Sequence, residues 1–157
     1  MVTPDEIKSK TFSSSMPEMQ KGYKQVSSAE MASFVDDYGE LAMDIGDVID
    51  KYVKEHNIKP KYEGLEELTH LTATTIKHAI SGKDRVTRTM LYKLTVGFKM
   101  PLAEANELFR KCGGTLKQDC LEDYICIRAL EDGDSVVQFI EDYNHYTSGA
   151  QLKDPFK

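Results

Sequence analysis

An all-α fold is predicted for this chain of 157 residues, and three observations predict it. Apolar side chains recur three and four apart, as in Leu41, Ile45, Val48, Ile49, Tyr52 and Val53, rather than alternating as in a strand. Residues suited to open a helix (Thr3, Ser28, Thr72, Thr87, Ser135) and to close one (Asn57, Gly82, Gly113–Gly114) punctuate these runs. Seven Met, no Trp and only five Pro complete a helical composition. The length holds one compact domain, or a small domain with appendages, with enough chain to bury a core.

In order, Thr3 caps a short helix with Pro4 at its first position and Asp5 and Glu6 in its first turn. The Ser-rich run at 13–15 and Met16–Pro17 break it. Ser28 opens a second helix with an apolar stripe of Phe34, Val35 and Tyr38. The run from Leu41 to Val53 keeps its period through Gly46 and stops at Asn57. A loop, KPKYEG, follows. Leu65 and Leu68 then form the apolar face of a short helix, with Leu71 in a turn. Thr72 caps the next helix, whose inward face is Ile76, Ala79 and Ile80, and Gly82 ends it. Thr87 caps a helix with Met90, Leu91 and Leu94 inward. Pro101 opens one with Leu102, Ala105, Leu108 and Phe109 inward.

Residues 65–82 therefore read as helix, tight turn, helix. Once the apolar positions are turned inward, Ala73, Thr74, Lys77 and His78 lie outward on the second helix. This face is small, polar and basic, with no carboxylate, and suits the major groove of DNA, where hydroxyl, amine and imidazole groups meet base edges. An ordinary helical hairpin with a solvated face fits the same pattern. The net charge of −6 does not exclude DNA, because the charge is unevenly distributed. From Lys59 to Lys99 there are eight Lys and Arg against four Asp and Glu, a local net of +4. The flanking segments are each net −5, so positive potential is confined to the helical hairpin and the helix after it.

Residues 41–112 resemble the lambda-repressor-like, XRE-type DNA-binding domain, a five-helix bundle of bacterial and phage repressors. The resemblance rests on Leu65, Leu71, Ile76, the Ser81–Lys83 SGK, the basic loop with Arg85 and Arg88, Leu91 to Leu94, and the LAEANELF helix. It implies that Thr72 to Ile80 is a recognition helix, with Ala73, Thr74, Lys77 and His78 facing bases. Thr72, Ser81, Lys83, Arg85 and Arg88 would then meet phosphates. The chain departs from the pattern at His70, where Gly is usual, and at Glu66, where a small residue is usual. His accepts the left-handed backbone that the turn needs better than most residues.

The resulting organisation is an N-terminal extension (1–39) with one or two short helices, a helix-turn-helix domain (40–112), and a C-terminal helical pair with a tail (113–157). In that pair, Ser135 caps the second helix. Leu121, Tyr124, Ile125 and Ile127 face Val136, Phe139, Ile140 and Tyr143. It is similar to what some Gram-positive XRE-type proteins carry, and reads either as an intramolecular cap or as a homodimer contact. The N-terminal extension is similar to the start of DivIVA-type division-site proteins at Thr3–Pro4, Ile7, Lys10, Phe12, Gly22–Tyr23 and the Phe34 helix. It lacks their membrane-binding Phe-Arg pair and a following coiled coil, so no membrane partner is implied.

Other function classes lack their signatures. The four His have no metal-ligand spacing with each other or with Cys112, Cys120 and Cys126. No phosphate-cradling Gly loop or nucleophile motif occurs, so neither an enzyme nor a cofactor is expected. Three unpatterned Cys, no signal-like N-terminus and no apolar run of spanning length favour the cytoplasm. The expected function is a transcriptional regulator on double-stranded DNA. The rival is a protein-interaction adaptor that keeps the fold and binds a partner through its acidic ends, which are also placed to fold over the basic face.

Overall fold

The computed structural model describes residues 1–12, 44–83, 86–147 and 152. Among these the regular elements are helices. They are α1 (Pro4–Lys8), α2 (residues 44–55), α3 (Lys61–Thr69), α4 (Ala73–Ser81), α5 (Arg88–Gly97), α6 (Leu102–Lys111), α7 (Leu121–Asp132) and α8 (Val136–Tyr146). The expected Ser28 helix, the start of the Leu41 run and the DivIVA-like positions Gly22, Tyr23 and Phe34 lie outside the described residues, as does Arg85.

Helix α5 is the centre of the molecule. It packs against α3, which precedes it in the chain, and against α6, α7 and α8, which follow it. Every residue from Leu91 to Gly97 is buried. The approach to α3 is close because Gly97 has no side chain: a Cβ there would stand 2.5 Å from the Leu68 carbonyl oxygen. Helix α2 lays Ile45, Ile49 and Tyr52 on this core, and Tyr52 stacks on Phe98 with 4.7 Å between ring centres. It runs through Gly46 without a break, and Asn57 turns the chain at φ 51°.

The C-terminal pair shares this core. Helices α7 and α8 meet at Gly133, which is left-handed (φ 67°), and Ser135 caps α8 by accepting the N–H of Gln138. Phe139 and Tyr143 of α8 stand about 6 Å from the Tyr92 ring of α5. The cap reading therefore describes how the pair packs. The N-terminal residues lie on the outside of the same pair: Val2 is buried, Phe12 packs on Tyr124, and Glu6 accepts the Tyr124 hydroxyl at 3.0 Å. Among the described residues, the N-terminal segment 1–12 thus lies on α7 and α8.

Three local expectations are corrected. Helix α3 starts at Lys61, so Tyr62, Glu63 and Gly64 are helical and not a loop. Leu68 is 39% exposed, while Leu65 and Thr69 are fully buried, so the inward face of α3 is 62, 65 and 69. Pro101 sits at the cap position, and α6 begins at Leu102.

Candidate nucleic-acid interface

The turn between α3 and α4 is built by backbone chemistry. His70 is left-handed (φ 53°, ψ 32°) and its N–H returns to the Glu66 carbonyl, closing α3 without a glycine. Thr69 stabilises the bend from inside. Its hydroxyl donates to the Leu65 carbonyl at 2.7 Å and accepts the Leu71 N–H at 3.3 Å. Thr72 then caps α4 by accepting the N–H of Thr75, and Gly82 (φ 76°) ends it. Thr72 is therefore partly engaged within the helix end. Behind α4 the core is closed: the void lined by Ile76, Ala79, Leu91 and Leu94 is about 10 Å³, room for no more than one water.

The outward face of α4 is as the helical period requires. Thr74, Lys77 and Ser81 are exposed, and Ala73 and His78 are half-buried. Lys83 follows on the surface. Ser81 turns its hydroxyl back to the His78 carbonyl at 3.2 Å. The Lys77 ammonium lies 4.6 Å from the centre of the Tyr62 ring of α3.

Arg88 is a correction. It was expected on a phosphate, but its side chain is 1% exposed and its guanidinium is spent inside the protein. Nε donates to Asp123 Oδ1 at 3.0 Å and Nη2 to Asp123 Oδ2 at 2.7 Å. Nη1 and Nη2 also donate to the carbonyls of Gly114 and Thr115 at 2.9 and 3.1 Å. Asp123 is completed by the Tyr92 hydroxyl and the Lys117 N–H. The physical reason is position: 88, 91, 92 and 95 form one stripe of α5, so Arg88 points into the core with Leu91 and Tyr92. Burial works against the charge of Arg88, but Asp123 offsets it and holds the guanidinium pKa above its ordinary value. Burial first, then Asp123, drives the Tyr92 phenol well above its usual range.

Two further findings alter the charge around α4. Lys93 is also buried, and its ammonium donates to the His70 carbonyl at 3.4 Å, steadying the turn. Two of the eight basic residues between 59 and 99 thus serve the interior. Glu66 Oε2 accepts the first N–H of α4, that of Ala73, at 3.1 Å. With Glu63, Glu67 and His70 it lines an open depression beside that helix end. The face of α4 carries no carboxylate of its own, but α3 brings one to its N-terminus.

Sequence reasoning missed Tyr62, Glu66 as a cap, and the Arg88–Asp123 pair. The pair had a signal: Asp123 shares its spacing with Ile127 and Leu130, both buried, so each charge stood on an apolar stripe. Among the described residues, no group of three His, Cys, Asp or Glu is placed to hold a metal ion, and no helix is long and apolar enough to cross a membrane. Comparison with protein-family models, curated proteins and solved structures returns no match.

Proposed function

We propose that this chain is a sequence-specific regulator of transcription that binds double-stranded DNA through α4. The observation that carries the reading is the helix itself. It is capped at both ends, seated on a closed core behind a left-handed turn, and presents Thr74 and Lys77 outward with Lys83 just beyond. A rigid, small-residue helix of this kind matches the width of the major groove, and its hydroxyl and ammonium groups suit base-edge acceptors. Phosphate contacts fall to Lys83 and Arg85 rather than to Arg88, and the Ser81 hydroxyl is already turned back to the His78 carbonyl.

The test is selection from a random duplex pool followed by binding over a salt series. Thr74→Ala and Lys77→Ala are expected to change the selected motif. Lys83→Ala is expected to weaken all sequences alike and to lower the salt slope by about one. Absence of enrichment, together with no binding at low salt, overturns the reading. An inverted repeat would mark a two-fold dimer, which must then use surfaces other than the α5-facing sides of α7 and α8.

One observation favours the adaptor reading. Glu63, Glu66 and Glu67 place carboxylates beside the N-terminus of α4, where a DNA backbone would approach. Under that reading the same surface takes a partner protein, and neither Lys77 nor Lys83 has a DNA phenotype.

A further inference from the structure

We propose that Tyr62 is a positioning residue for Lys77, and through it a determinant of sequence preference at the base pair that Lys77 meets; this rests on the DNA-binding reading of α4. A lysine ammonium ends a flexible four-carbon stem, so an unguided Lys77 would sample many directions and discriminate bases poorly. The Tyr62 ring removes part of that freedom. It is half-buried and packed against the core. It sits one and two turns before Leu65 and Thr69, both fully buried, so α3 holds the ring in place. The Lys77 ammonium is 4.6 Å from its centroid, within cation–π range, and among the described residues it pairs with no carboxylate. Lys61 lies 5.4 Å from the same ring, but its ammonium is 3.1 Å from Asp50, so its charge is already compensated.

The chemistry that follows is recognition of a purine edge. A directed ammonium donates best to guanine, whose O6 and N7 are adjacent acceptors in the major groove. Nothing in the α4 sequence reveals this, because Tyr62 and Lys77 belong to different helices and meet only after α3 and α4 fold together.

The test has two arms. Without DNA, proton NMR of the Lys77 side chain is expected to show ring-current upfield shifts of the ε-methylene in the native protein and in Tyr62→Phe, lost in Tyr62→Leu. In random-pool selection, Tyr62→Leu is expected to lose preference for guanine at one position by about two- to five-fold, the range of an exposed cation–π contact. The salt slope stays unchanged, and Tyr62→Phe keeps the native motif. In a Lys77→Gln background, Tyr62→Leu is expected to have no further effect on the motif, which separates positioning from general damage to α3. Absent ring-current shifts, or an unchanged motif in Tyr62→Leu, overturn the inference while leaving the DNA-binding reading standing. Ring-current shifts present with no motif selected by the native protein overturn that reading, and the specificity role with it.

Discussion

Arg88 and Asp123 are each held by the other, so removing one strands a charge where water does not reach. Arg88→Ala leaves the Asp123 carboxylate buried with only Tyr92 and the Lys117 N–H as donors. The expected cost is about 3–5 kcal/mol, read as a fall in the urea midpoint. Replacing both partners with apolar residues should cost much less than the single change, because no charge is then left uncompensated. Asp142 makes a different case. Burial raises its pKa above the usual aspartate value, against the lowering effect of hydrogen bonds from Gln138 and the Val2 backbone. A raised folded-state pKa means that the native protein binds the proton more tightly than the unfolded chain does. Stability is therefore lost as pH rises from the ordinary aspartate value through the raised one, and is level above it. Asp142→Asn should match the native protein in acid and exceed it at neutral pH. A urea titration between about pH 3 and pH 7 would show the gap opening, and a constant difference would contradict the cause assigned.

At the scale of elements, the hinge of the molecule is the contact between α3 and α5. Gly97→Ala places a methyl group against the α3 backbone, 2.5 Å from the Leu68 oxygen and 3.0 Å from the Thr69 Cα. Backbone cannot swing aside as a side chain can, so α3 must move off α5. The expected cost is about 1–3 kcal/mol by chemical denaturation. The turn at His70 and the seating of α4 shift with it. Thr72→Ala should be milder, about 1 kcal/mol, since it removes one cap bond to the Thr75 N–H and leaves the packing of α4 intact. If Gly97→Ala proves no worse than Thr72→Ala, the close approach of the two helices is not what holds the turn.

For the whole molecule, α7 and α8 complete the core that α5 begins, so the bundle and the pair should unfold together. A chain ending before α7 would lack Asp123 and uncover Tyr92, and is expected to lose its cooperative transition in urea. The three cysteines report the same event. Burial pushes the Cys112 and Cys120 thiols up to about 12, and raises that of Cys126 as well. Thiolate is therefore scarce at neutral pH, and alkylation should be slow in the native protein. Alkylation of all three should accelerate together as the chain unfolds. Early release of one thiol would show that the pair opens separately from the bundle.

The helices, their caps and the inward faces of α4 to α8 were legible because they depend on spacing within one segment: Thr72, Thr87 and Ser135 cap as read, and Gly82 is left-handed as read. The outward placement of Thr74 and Lys77 follows from the same 3.6-residue period. Tertiary structure alone decided where the charges go. Arg88 looked like one more cation in a basic loop, and only the arrival of Asp123 from 35 residues away makes its burial tolerable. Glu66 and Tyr62 likewise acquire their roles from α4, a different helix. Periodicity is a local property that the amino-acid order carries by itself. The environment of a charge is set by whichever element packs against it, and no spacing along the chain records that.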